Sequence, residues 1–324
     1  MDFFETLAAG SRAMGYVAHQ TPGVEDVRAI PRPPVASGVI DLERELDLSA
    51  ASPGLLNLLG ITSVKPDDSN LGDGVHASAV KVISNESVRI DPRAAIASRS
   101  VCVAAGSRLI VAKERPAPDF GTAPAFYKDI GIVRRVLPAS FGLVADGAQA
   151  AVSPLPIRDA QLDFADAPSH AFSTTISRAQ DRAVGGGRDL EAALLSSILI
   201  GLSNAADNAL ITAIVAAVPA NFSFGAAAAA DLRFADLRAI VGTGGVGAAV
   251  RQDGVLAVQG VAAELTSETA STLVGAFGTS AVWIDPRISL HVKRTNVDGS
   301  IQITVFANIV PLLPDSAAFF TVNA

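Results

Sequence analysis

Stepping by four from Leu190 gives Leu194, Ile198, Leu202, Ala206, Leu210, Ile214 and Val218, an unbroken apolar row. Leu195, Leu199, Ile211 and Val215 flank it and widen it into one face of a helix. Three glycines at 185–187 and Asp189 mark the start, and Pro219 marks the end. A helix over 188–218 would run roughly 45 Å at 1.5 Å per residue, far above the average for globular proteins. An element of that length serves as the backbone of a flat or elongated subunit more often than as part of an enzyme core.

The rest of the chain is apolar for a soluble protein. Hydrophobic residues make up 49% of the 324 and charged ones 18%, and mean hydropathy is +0.38. Such a balance points to surface buried against partner chains, on top of a general richness in alanine. No membrane span is expected, because Glu191, Asn204, Asp207 and Asn208 are spread around the helix and Pro219, Asn221 and Gly225 interrupt the uncharged run that follows. Asp2 and Glu5 stand where a secretion signal would be positive. The single cysteine, Cys102, excludes an intrachain disulfide framework, so synthesis in the cytosol is expected. A net charge of −7 argues against a domain that grips nucleic acid, though not against a wall that faces it.

Along the chain, residues 1–60 read as an arm, with short apolar pieces between Pro22, Pro31, Pro33, Pro34 and Pro53. Residues 61–129 form a strand-rich segment, with strands expected at 79–83, 87–90, 100–104 and 108–112. The acidic loop 67–74 lacks the spaced ligands and closing Glu of a calcium loop and reads as a surface turn. Residues 130–137 and 161–164 read as the arms of a projecting hairpin around a segment rich in small residues. A strand at 171–178 leads into the helix, and a short helix or strand is expected at 231–241. Strict alternation over 287–293 and 301–309, joined by a turn containing Asp298 and Gly299, specifies a long antiparallel hairpin.

Several motifs invite other readings. Gly242-Thr243-Gly244-Gly245-Val246-Gly247 spells a dinucleotide-binding loop, with Glu264 at about the distance of a ribose ligand. Gln252, Asp253 and Gly254 interrupt the helix that should follow, so a flexible glycine loop is the better reading. His19, His76, His170 and His291 have no metal-ligand spacing, and His291 falls on the solvated face of its strand. No nucleophile elbow, Walker loop or zinc-protease motif occurs, no carboxylate pair is marked as an acid/base couple, and no cofactor is expected. Arg134 and Arg135 form a small basic patch suited to an inter-subunit or solvent contact.

The order of these pieces resembles the major capsid proteins of tailed bacteriophages, the Hong Kong 97 fold. The likeness is carried by residues 144–149 followed by Ser153-Pro154, by the strand at 171–178, and by the helix over 190–210 with Asp207 near its end. Further pieces are Asp253-Gly254-Val255-Leu256 with Gly260-Val261-Ala262-Ala263, then Gly275-Ala276-Phe277, and the tail 310–319. It covers residues 130–324. Ala276 stands where the family carries an acid, and residues 61–113 have no counterpart.

The resemblance implies an α+β fold in five parts besides the 61–129 segment. These are an N-terminal arm over 1–60, an extended loop hairpin over 130–168, and a peripheral domain whose strand and spine helix occupy 169–218. An axial domain over 219–280 follows, then the long hairpin and tail over 281–324. It implies a non-enzymatic shell protein that forms hexamers and pentamers around double-stranded DNA in a virion, assembled in the host cytoplasm. Portal, separate scaffold and decoration proteins would be its partners, with no membrane involved. Leu190, Leu194, Ile198 and Leu202 would build the spine, Asp207 would hold the turn into the axial region, and Arg134, Arg135, Arg158, Asp298 and Gly299 would serve structure and assembly. The loop has arginines, with Lys128 only at its edge, so a noncovalent shell is expected in place of the lysine–asparagine cross-links of some members. An encapsulin-type compartment and a nicotinamide-dinucleotide enzyme using 242–247 are the alternatives.

Overall fold

The computed structural model describes residues 35–42, 46–47, 80–84, 87–111, 114–116, 126–128, 132–144, 146, 149, 152–161, 167–183, 188–293 and 300–323. The arm is outside these except for 35–42 and 46–47, and so are the 67–74 loop, His19, His76, Asp298 and Gly299. The fold is mixed α+β with several sheets. It divides into two compact units. One comprises Met1–Arg99, Pro168–Ser203 and Asp285–Ile309; the other comprises Ser100–Ala167, Asn204–Ile284 and Val310–Ala324.

In the first unit, the strand Arg287–Lys293 pairs antiparallel with Ile301–Leu312 and, on its other side, with Val35–Asp41. Ser169–Ile176 adds to the far edge of Ile301–Leu312. The alternation read from sequence is realised. Ile288, Leu290 and Val292 are buried, as are Ile303, Val305, Ala307 and Ile309, while His291 and Lys293 are exposed. His291 nevertheless packs edge-on against Phe306, with ring centroids 5.9 Å apart.

The long helix runs over Arg188–Ala216, 29 residues. Leu195, Ile198, Leu199, Leu202, Ala206, Leu210, Ile211 and Ile214 are buried, and Leu194 is half-buried. The row fails at its end. Val218 is exposed because the helix stops at Ala216 and Val218 has left it with φ +50°, and Val215, in the last turn, is exposed as well. Asp207 is buried, against the expectation that it lies on the surface. The stretch Ala193–Ala216 is long and apolar enough to cross a membrane by length and composition, and half of its most apolar window is buried within the protein.

Residues 92–104 overturn another expectation. Pro92–Arg99 is helical, and Val101–Ala104 is a helical turn, where the apolar run 100–104 predicts a strand. The reason is tertiary. The Ser100 hydroxyl accepts from the Val103 N–H at 3.0 Å, and the Asp207 carboxylate accepts from the N–H groups of Val101 at 2.8 Å and Cys102 at 3.1 Å. Together they satisfy the orphan donors of a helix start.

In the second unit a seven-stranded sheet takes the order 220–221, 319–322, 272–275, 238–241, 261–265, 256–258, 248–250. Leu237, Ala239, Val241, Val258, Val261, Val274 and Phe320 form its core. The 231–241 segment resolves into a short 3-10 turn, Phe234–Asp236, and the strand Arg238–Val241. The glycine loop follows that strand, and its context is not that of a dinucleotide site. The amides of Gly242, Thr243 and Gly244 donate to the carbonyls of Ser271, Thr269 and Ala270, so they are not free for a pyrophosphate. A Cβ on Gly242 would lie 2.3 Å from the Thr269 oxygen, which makes this a packed turn and not a flexible one. A strand, Ala248–Val250, comes next in place of a helix, and Glu264 sits in sheet register opposite Ile240.

Candidate assembly surface

The strand Ile132–Val136 pairs antiparallel with Ile157–Gln161, and Leu137 extends the ladder by donating to the Pro156 carbonyl at 2.8 Å. The pairing of two arms is present, with the second arm at Ile157–Gln161, earlier than the expected 161–164. A two-stranded ribbon alone is marginal in water, so its anchorage matters. Alternation along Ile132–Val136 turns Val133 and Arg135 inward and Ile132, Arg134 and Val136 outward. Val133 joins a buried cluster with Ala281, Trp283 and Leu312.

Two residues along the strand, Arg135 is buried. Its Nη1 donates to Asp315 Oδ2 at 2.5 Å and its Nη2 to the Ala230 carbonyl at 3.1 Å. Arg158, from the opposite strand, binds the other oxygen of Asp315. Asp315 also accepts from the Ala317 N–H at 3.1 Å. One buried carboxylate thus ties both arms of the ribbon to the C-terminal turn.

Arg134 and Arg135 are therefore not one basic patch, because adjacent strand residues face opposite ways. Arg135 makes its contacts within the subunit. Arg134 is exposed and forks onto Asp159 across the ribbon, with both hydrogen bonds at 2.8 Å. That bond holds the Asp159 carboxyl below its usual range and the Arg134 guanidinium above its own.

Beyond the ribbon, the described residues 137–144, 146, 149 and 152–156 belong to no helix or strand. Pro138, Gly142, Pro154 and Pro156 deny them regular structure. Phe141, Leu143, Val152 and Leu155 are 97%, 105%, 96% and 77% exposed. Full burial of such a side chain is worth about 1.5–3 kcal/mol. Four such side chains stay in water beyond the ribbon, which makes this the candidate interaction surface of the chain. By sequence this segment reads as one rich in small residues. The signal that this reading misses is large apolar residues with neither helical nor strand period. The reading also misses Asp315. A charged residue two positions from an inward valine was the available sign that Arg135 needed a buried partner.

The remaining candidate residues divide as follows. Ile198 and Leu202 are core and Leu194 is half-buried; Leu190 lies in the helix, and its side chain is outside the described set. Among the described residues, Asp207 has its side-chain hydrogen-bond partners at 100–102. It accepts from the Ser100 hydroxyl at 2.5 Å as well as from the two amides, so it caps the 101–104 turn. Burial pushes its carboxyl above the usual range, and these hydrogen bonds oppose the shift only in part. Burial, with the nearby Asp207 charge, also pushes the Cys102 thiol up, so that it is inert.

No family profile matches the chain, and neither does any curated protein. Among solved structures it is similar to the capsid of the native GTA particle, at 11% identity and a TM-score of 0.44 over 81% of this chain and 98% of that one. A structure from Mycobacterium phage Che8 is similar at 10% identity and a TM-score of 0.42, over 60% and 84% of the two chains. The virus-like particle from Pyrococcus furiosus is similar at 10% and 0.39, over 67% and 89%.

Proposed function

We propose that this chain is the major capsid protein of a tailed double-stranded DNA bacteriophage, folded in the Hong Kong 97 manner. Its activity is assembly into hexamers and pentamers of an icosahedral shell. The observation that carries the reading is the 137–156 loop, whose large apolar side chains are exposed on a ribbon clamped by Asp315. Such a surface suits a subunit that neighbours cover. The 29-residue helix and the long Ile301–Leu312 strand supply the stiffness that assembly needs. In this reading 130–168 is the extended loop, 169–218 with 281–324 the peripheral domain, and 219–280 the axial domain.

Each subunit meets several others, so individually weak contacts add by multivalency. Scaffold, portal and decoration proteins are separate chains, and the packaged DNA is enclosed without sequence-specific contacts.

Negative-stain microscopy of the expressed protein, alone and with its scaffold, tests this. Closed shells or ring-shaped capsomers are expected. Dispersed monomers under both conditions would overturn it, and shells filled with an enzyme in place of nucleic acid would establish a cargo compartment instead.

A further inference from the structure

Beside the root of the ribbon, the second unit carries an open trough of about 550 Å³. Small residues floor it, among them Ala217, Ala226, Ala229 and Ala317, and two charged side chains line it, Arg158 and Asp231. We propose that this trough binds an extended segment of a separate polypeptide, apolar along its middle and flanked by an acidic residue that meets Arg158 and a basic one that meets Asp231. The inference goes beyond the assembly reading and applies to the dispersed chain as well as to a particle.

Three observations support it. The first is the lining. Alanines leave room that larger apolar side chains would fill, and Pro219, Phe319 and Phe320 add apolar surface around them. Ligand sites of this kind are mostly apolar, with a few polar groups that fix orientation.

The second is charge. Arg158 gives Nη1 to Asp315, yet its side chain remains 49% exposed at the trough, so part of the guanidinium faces a ligand. Asp231 is exposed and carries the opposite sign. An aliphatic acid would use Arg158 but offer nothing to Asp231, whereas a peptide supplies a partner for each.

The third is the main chain. Ala220 lines the trough and opens the strand Ala220–Asn221, which pairs with Phe319–Val322 on one side and ends the seven-stranded sheet. A sheet edge offers main-chain donors and acceptors to an extended segment. Just before it, Val218 takes φ +50°, a costly conformation for a β-branched residue, and its side chain is 84% exposed at the rim. Strain that holds an apolar group outward beside a groove fits a contact made with something else.

Fluorescence anisotropy on the purified full-length chain tests the site. The probes are dye-labelled, amidated heptapeptides of the form Asp-Xaa-Ala-Xaa-Ala-Xaa-Lys, with Xaa as Ala, Val or Leu. Saturable binding that strengthens from Ala to Leu is expected, and no binding by any member would overturn the proposal. Ala229→Leu fills the floor from an exposed position, so it should weaken binding several-fold at an unchanged melting temperature. Asp231→Asn removes one exposed charge and keeps a residue suited to φ +54°. It should weaken the peptides about threefold and leave those with norleucine in place of Lys unchanged. Binding that ignores both variants would place the peptides elsewhere and overturn the assignment. Decanoate that displaces the peptides and binds as tightly, indifferent to Asp231→Asn, would make this an aliphatic-acid site and overturn the choice of a polypeptide. None of these readouts depends on particles, so the site and the capsid reading fail separately.

Discussion

Arg135 and Asp315, 180 residues apart in sequence, form a buried ion pair at 2.5 Å that roots the exposed ribbon in the C-terminal turn. Removing one partner of a buried pair leaves the other charge uncompensated, which typically costs about 3–5 kcal/mol. Asp315→Ala strands both Arg135 and Arg158, so it should lower the denaturation midpoint sharply. Arg134→Ala breaks only the exposed fork to Asp159 and should leave the midpoint where it is. Urea unfolding of the two variants checks this ordering, and equal effects would contradict it.

The Asp207 carboxylate gives a pH dependence with a definite sign. Its folded pKa is raised by burial, so the protonated form is favoured in the folded state. The stability it contributes is fully present below the ordinary carboxylate pKa and is lost as pH rises through the raised folded value. The melting temperature of the wild type, relative to Asp207→Asn, should therefore climb as pH falls through that window. A difference that climbed with rising pH would mean that the hydrogen bonds outweigh burial. Asp207→Ala should cost about 2–4 kcal/mol at neutral pH, because the Ser100 hydroxyl and two amides lose their acceptor.

Much of this fold is legible in the sequence where a single period governs a long segment. The helix begins at Arg188 as read and ends within two residues of the expected boundary. The strands around Ile288 and Ile303 obey their alternation. What escapes is whatever depends on a distant partner. Val101–Ala104 is an apolar run that reads as a strand, and it is helical because Asp207, more than a hundred residues on, accepts its first amides. Likewise the two neighbouring arginines read as one patch until the pleat separates them, and nothing near Arg135 in sequence points to Asp315. The exposed loop escaped for a different reason. Its large side chains follow no period, because they fill no core within the subunit.

Gly275 illustrates a close approach that only glycine permits. A Cβ there would lie 2.5 Å from Cδ1 of Phe319 and 2.8 Å from the Ala318 carbonyl oxygen. Phe319 is buried and packs edge-on against Phe277 with centroids 5.2 Å apart. Gly275→Ala should displace the C-terminal strand and cost about 1–3 kcal/mol, read as a lowered melting temperature. A variant as stable as the wild type would show that Phe319 can move aside.

The exposed loop separates assembly from stability. Replacing Phe141 and Leu143 by Asp removes apolar surface that makes no buried contact in the subunit. The melting temperature should hold while particles disappear from sedimentation profiles. A parallel loss of folding would place these residues in the core instead. Particles of the wild type, boiled in detergent, should run as single chains on a denaturing gel, since the expected shell is noncovalent. A ladder of covalent multimers would refute that expectation.

The long helix makes the strongest demand on the chain. Ile198 is buried near its middle, with Leu195, Leu199 and Leu202 on the same face. Proline at 198 removes a backbone donor and clashes with the preceding turn, costing about 3 kcal/mol or more. It also displaces the apolar face that the helix buries. Ile198→Pro should therefore abolish particles by unfolding the subunit, visible as loss of the cooperative thermal transition. This differs from the loop variants, which should remain folded. Normal shells from Ile198→Pro would mean that this helix is not the spine on which the subunit is built.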